Sequence, residues 1–124
     1  MARVLLIDDD QSNVEFMRQL LRLEGHELVW AADGRQGLEQ ARQLHPDLII
    51  CDVIMPRLGG YAVLETVRAD PQFSAVPILL FSAAITEDAR FVALSRGANE
   101  VLAKPFDLVQ LRNAIRRCLG QGPQ

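Results

Sequence analysis

Four short apolar runs, Val4–Ile7, Leu48–Cys51, Ile78–Phe81 and Val101–Ala103, dominate the sequence, and none alternates cleanly with polar residues. A strand with one face in water would alternate with a period of two. An unbroken run asks for cover on both faces, as strands receive in a parallel sheet flanked by helices. Leu28–Ala31, just after Glu27, makes a weaker fifth run.

Between the runs, apolar residues recur at helical spacing. The first such segment carries Val14, Met17, Leu20 and Leu21, with Phe16 and Leu23 widening its stripe. Ser12 or Asn13 is expected to cap it and Gly25 to stop it. The second starts at Asp33, turns Leu38, Ala41 and Leu44 inward, and ends before Pro46. The third runs from about Gly60 to Ala69 around Val63, Leu64 and Val67. Thr86, followed by Glu87 and Asp88, opens the fourth, and Gly97 closes it. Asp107 caps the fifth, which places Leu108, Leu111, Ile115, Cys118 and Leu119 on one stripe. Strand and helix thus alternate five times over about residues 3–119, which predicts an α/β domain with a parallel sheet and right-handed crossovers. The expected domain covers residues 1–120, with 121–124 a polar tail or the start of a linker.

Composition narrows the functional classes. A chain of 124 residues, 49% hydrophobic, can bury one substantial core and is not disordered. A net charge of −3 weighs against direct nucleic-acid binding. The one basic cluster, Arg112, Arg116 and Arg117, falls late in the fifth helix and reads as a solvated face. Cys51 and Cys118 lie far apart with no metal-ligand spacing and are expected to be reduced core thiols. No apolar stretch approaches the roughly eighteen residues that span a bilayer. The first run begins at Val4, with no signal peptide ahead of it, so the expectation is a cytoplasmic protein without membrane association.

The chemistry lies where the runs end. The first gives way to Asp8, Asp9 and Asp10, Leu48–Cys51 to Asp52, Ile78–Phe81 to Ser82, and Val101–Ala103 to Lys104 and Pro105. In doubly wound sheets, sites form outside the carboxyl ends of the strands, where strand order reverses. Singly, these residues read as turn, cap or surface positions, and Asp10 is expected to be no more than a loop and cap residue. Together, at corresponding ends of several strands, they outweigh coincidence. Asp8, Asp9 and Asp52 gather three negative charges against the one positive charge of Lys104. Like charges at about 4 Å repel by several kcal/mol in a partly buried site, which a divalent cation relieves. The ligands are hard oxygens, which suit Mg²⁺, and no His or Cys stands where zinc would need it. A carboxylate beside a metal, a hydroxyl and an ammonium also suits phosphoryl transfer. Asp52 is then the nucleophile, with Ser82 and Lys104 on the phosphoryl oxygens.

The ordered set Asp8–Asp9, Asp52 with Met55–Pro56 and Gly60 after it, Ser82–Ala83 and Lys104–Pro105–Phe106 resembles the CheY-type receiver domain of response regulators over nearly the full chain. The resemblance implies a doubly wound (βα)5 sandwich with a five-stranded parallel sheet of order 2-1-3-4-5. It implies a signalling switch of a two-component or phosphorelay system, catalysing only its own phosphorylation and slow autodephosphorylation. A sensor histidine kinase or histidine phosphotransfer protein would pass a phosphoryl group to Asp52, and a protein-binding surface would change in response. By the same resemblance, Asp9, Asp52 and the backbone carbonyl of Ile54 bind Mg²⁺, Asp8 acts mainly through water, and Ser82 and Lys104 contact the phosphoryl group.

Two departures from the family pattern stand out. Val101 occupies a position, three before the lysine, where the family often carries an aromatic residue that rotates on phosphorylation. Output is therefore expected through the Ser82–Ala83–Ala84 loop and the exposed sides of the fourth and fifth helices, among them Arg96, Gln110 and Arg117. Ile54 and Ala84, which flank the phosphoryl group in the family, can neither position nor deprotonate a water.

Rival classes fit less well. A phosphatase of the haloacid-dehalogenase type needs a second Asp two residues after the nucleophile, where this chain has Ile54. A flavodoxin-like cofactor binder needs a phosphate loop after the first strand, where Asp8–Asp10 would repel a phosphate. A receiver at the N-terminus of a longer regulator with a separate output domain remains open, as does the downstream target.

Overall fold

Five strands and five helices alternate as the apolar runs predict: β1 (Arg3–Ile7), α1 (Gln11–Leu23), β2 (Glu27–Ala31), α2 (Gly34–Leu44), β3 (Leu48–Asp52), α3 (Gly60–Ala69), β4 (Ile78–Ser82), α4 (Glu87–Ser95), β5 (Glu100–Ala103) and α5 (Leu108–Cys118). The computed structural model describes residues 1–55, 58–83 and 86–120. Pro56 of the motif, Ala84 and the 121–124 tail lie outside the described residues.

All pairings are parallel and the sheet order is β2-β1-β3-β4-β5. Successive residues of one strand feed opposite layers, which explains the unbroken apolar runs. Leu5, Ile7, Ile49, Cys51 and Leu80 pack with Ala41, Val63, Leu64, Val67 and Ala93 of α2, α3 and α4. Val4, Leu6, Leu48, Ile50 and Phe81 pack with Val14, Met17, Leu21, Leu111 and Ile115 of α1 and α5. In β2, an outermost strand, only Ala31 is fully buried, so its run was the faintest.

Helix starts follow side-chain chemistry. Asp33, Thr86 and Asp107 cap α2, α4 and α5, and Asp107 exchanges hydrogen bonds with Gln110 in a capping box. At the start of α1 the expectation that Asp10 is a cap residue holds, and the alternative that Ser12 or Asn13 caps the helix does not: the Asp10 carboxylate accepts from the Ser12 N–H at 3.0 Å and the Ser12 hydroxyl at 2.7 Å. Asn13 is drawn instead to Asp8. Phe16 and Leu23 also leave the predicted stripe, at 44% and 81% exposed, and Leu108 is likewise exposed. α2 ends on His45 in the left-handed region (φ 48°), one residue before Pro46.

The late arginines are not a free solvated face. Arg116 donates to the Glu24 carboxylate at 2.8 and 3.2 Å and Arg117 to Glu100 at 2.9 and 3.2 Å, fastening α5 to the end of α1 and to β5. Both cysteines are free thiols, and burial pushes each above its ordinary pKa. Among the described residues, no helix is long and apolar enough to cross a membrane.

Candidate functional site

Strand order decides what meets at the carboxyl end of the sheet. β1 and β3 lie side by side with Ile7 opposite Cys51, so the next residues, Asp8 and Asp52, emerge next to each other. β4 brings Ser82 beside them, buried, and Lys104 follows Ala103, the partner of Ser82 in β5. The Lys104 N–H extends the ladder by donating to the Ser82 carbonyl at 2.7 Å.

Each carboxylate is held differently. Asp8 is fully buried: its Oδ1 accepts from the Asp10 N–H at 2.9 Å and its Oδ2 from the Asn13 amide at 3.0 Å. Asp9 is exposed. Asp52, buried at the end of β3, accepts the Ile54 N–H on Oδ1 at 3.1 Å and meets the Lys104 ammonium at Oδ2, 3.2 Å away. The Lys104 ammonium also lies 4.8 Å from the centre of the Phe81 ring. Gly60 closes the site from behind, because a Cβ there would stand 2.7 Å from the Asp52 carbonyl oxygen. The Ile54 side chain is 72% exposed at the mouth of the site.

One oxygen from each of Asp8, Asp9 and Asp52 lies within 4.8 Å of the others. Three carboxylates against one ammonium leave a net double negative charge, and every donor is a hard oxygen. That donor set fits a small divalent cation.

Burial pushes the Asp8 carboxyl above its ordinary value of 3.8; the Asp10 and Asn13 hydrogen bonds pull it back, the Asp52 charge pushes up again, and Lys104 opposes. A carboxyl that holds its proton more tightly when folded stabilises the fold below its unfolded pKa, and this contribution is lost as pH rises through the raised folded value. Asp8→Asn is therefore expected to raise the stability of the metal-free protein at neutral pH and to flatten its pH dependence above the carboxyl range. The amide can keep the Asp10 bond, and Asn13 can turn its own oxygen to meet the new NH2 group. Denaturant unfolding in a chelator from about pH 4 to pH 7 measures this. A variant less stable than the parent throughout would mean that the two hydrogen bonds outweigh burial.

The sequence signalled Asp8, Asp9, Asp52, Ser82 and Lys104, and all reach this end of the sheet. It did not signal Asn13 as a partner of Asp8, nor Trp30, whose indole N–H donates to the Asp8 carbonyl at 2.8 Å. Neither role leaves a trace in spacing, since each depends on how another element, the first turn of α1 or the end of β2, meets the end of β1. A groove of about 510 Å³, lined by Asn13, Phe16, Ala83, Lys104, Pro105 and Phe106, opens beside Lys104, which accounts for the outward turn of Phe16.

The family model for the response regulator receiver domain matches residues 4–116. The chain is 32% identical over 119 residues to the DNA-binding dual master transcriptional regulator RpaA of Synechocystis sp., an alignment covering 96% of this chain and 49% of RpaA. It is similar to the chemotaxis response regulator CheY4 of Vibrio cholerae, with a TM-score of 0.89, 34% identity, and 96% of this chain and 99% of that one covered. It is also similar to the receiver domain of the sensor histidine kinase PA1611 of Pseudomonas aeruginosa PAO1, described with a magnesium ion coordinated in the active site cleft. There the TM-score is 0.86 and the identity 31%, with 96% of this chain and 98% of that one covered. The chain spans about half the length, or less, of the curated relatives it matches.

Proposed function

The chain belongs to the response-regulator receiver family, the phosphorylation switches of two-component signalling, and on that premise we propose that Asp52 is its phosphoacceptor and that Asp8, Asp9 and Asp52 hold Mg²⁺. The supporting observation is the Asp52 carboxylate itself. It is fixed by the Ile54 N–H, neutralised by Lys104, and clustered with two further acids at the open end of the sheet.

A carboxylate oxygen of Asp52 attacks the phosphorus of a phosphohistidine on a sensor kinase or histidine phosphotransfer protein. The new O–P bond forms as the P–N bond breaks, and the imidazole leaves with its electron pair. When bound, Mg²⁺ would supply positive charge to screen the acids from one another and from the phosphoryl oxygens; Asp8, Asp9, Asp52 and the Ile54 carbonyl would hold it. Formation of the acyl phosphate removes the carboxylate charge of Asp52, so the Lys104 ammonium loses its carboxylate partner and turns to the phosphoryl oxygens. The Ser82 hydroxyl, one strand away, binds another of these oxygens. The groove beside Lys104 is the approach for the donor, and we place the reaction in the cytoplasm.

Movement of Ser82 and Lys104 biases the loop after β4, and with it α4, between two states. α4 buries only Ala93 and is linked to β5 by Arg90, which donates to the Val101 carbonyl. Val101 is buried and has no ring to rotate, so this link stands where the family's aromatic often acts. Of the expected output residues, Arg96 is paired with Glu65 and stacked on Tyr61, Arg117 is paired with Glu100, and Gln110 serves the α5 cap. The greater length of RpaA favours a second arrangement, a receiver joined to a separate output domain.

Incubation with a small acyl phosphate and Mg²⁺ tests the acceptor chemistry. The expected product carries one phosphoryl group, labile to base and to hydroxylamine. A label that resists neutral hydroxylamine, as a serine ester at Ser82 would, would contradict the assignment.

A further inference from the structure

Trp30 is the only tryptophan of the chain, and the phosphoryl chemistry above makes no use of it. It precedes Ala31, the last residue of β2, and is 36% exposed. Its one polar atom, the indole nitrogen, donates to the Asp8 carbonyl at 2.8 Å. That carbonyl belongs to the peptide unit that joins Asp8 to Asp9. On the other side of Asp8, its N–H donates to the Ala31 carbonyl at 3.1 Å. Two neighbouring residues of β2 thus grip both peptide bonds of Asp8.

The two exposed ends of the acidic segment differ in what holds them. The Asp10 carboxylate is tied into the α1 cap. The Asp9 carboxylate is exposed and, among the described residues, receives no hydrogen bond. The point from which it reaches into the site is set by its backbone, because a planar peptide leaves only the rotations on either side of it to place the Asp9 Cα–Cβ bond. Pinning the Asp8 carbonyl fixes this plane.

We propose that Trp30 is a positioning residue of the acidic site: by holding the Asp8–Asp9 peptide it sets where the Asp9 side chain emerges beside the carboxylates of Asp8 and Asp52. The proposal rests on the assignment of these three acids to Mg²⁺. It accounts for a large ring kept one-third exposed on an outermost strand, where packing alone gains little. Loss of the N–H is expected to weaken Mg²⁺ binding about two- to tenfold, the range for one hydrogen bond.

Two replacements separate the hydrogen bond from the ring. Trp30→3-benzothienylalanine exchanges the N–H for sulfur and keeps the ring shape, whereas Trp30→Phe loses both. Mg²⁺ titration calorimetry and metal-free melting are measured on the full chain. Both variants are expected to bind Mg²⁺ two- to tenfold more weakly, the isostere with a metal-free melting temperature close to the parent's. In the parent, the single indole N–H resonance is expected to shift along the same Mg²⁺ titration. An isostere that binds as tightly as the parent would overturn the positioning role while leaving the metal assignment intact, including where only the Phe variant is weakened. A parent that takes up no Mg²⁺ would overturn both.

Discussion

Asp52→Asn is expected to take up no phosphoryl group from a small acyl phosphate or from a phosphohistidine donor, while remaining folded. The amide oxygen has no negative charge with which to attack phosphorus, so the covalent step is lost outright. The local structure has reason to survive. The amide oxygen can still accept the Ile54 N–H, and the substitution removes one of three crowded negative charges. The Lys104 ammonium loses its ion pair but stays partly exposed, where water can solvate it. Intact mass after incubation with donor and Mg²⁺ reads the loss, and the metal-free melting temperature serves as the control for folding. Normal labelling of a folded variant would move the acceptor to another residue.

The second large effect concerns how long the phosphoform lasts. Hydrolysis needs a water in line with the P–O bond on the side away from Asp52. The Ile54 N–H is bound to Asp52 and its side chain is 72% exposed, so this residue stands at the open side of the acceptor. So exposed a side chain does little to block a water. What it lacks is a group that can orient or deprotonate one, and Ala84, outside the described residues, lacks one too. The parent phosphoform is therefore expected to decay slowly, and Ile54→Asn or Ile54→Glu to decay faster. General acid–base help is worth about 10²–10⁴-fold, and an unoptimised side chain should reach only the lower part of that range. Phosphate release from purified phosphoprotein gives the rates. A parent that decays as fast as both variants would show that water is not limiting here. Slow decay would leave signal termination to a phosphatase or to back-transfer onto a histidine.

How much could be read beforehand depends on how local each signal is. The strand runs were legible because burial on both faces removes alternation, and the ends of runs mark where polar side chains emerge. Helix starts at Asp33, Thr86 and Asp107 were legible because one side chain meets backbone N–H groups a turn away. Strand order was not a local property; it came from the family resemblance, and with it the adjacency of Asp8 and Asp52. At α1, three polar residues competed for the cap, and the winner depended on Asn13 having a stronger partner in Asp8. Phe16, Leu23 and Leu108 were misplaced because apolar spacing allows a stripe wider than the sheet can cover. The grip of Trp30 on Asp8 joins two strand ends through one indole, which no periodicity encodes.

The outermost strands also bear on how this protein avoids aggregation. A strand with a neighbour on one side only offers unpaired backbone groups as a template for another chain. β5 is short, and Arg90 already occupies the carbonyl of Val101, while Arg117 holds the Glu100 side chain across the strand's first residue. On the opposite flank, Glu27 and Arg3 set an ion pair at 3.6 Å where β2 begins. An incoming strand would have to displace bound guanidinium groups and desolvate charge before gaining its first ladder bond. Self-association by strand addition is thereby disfavoured.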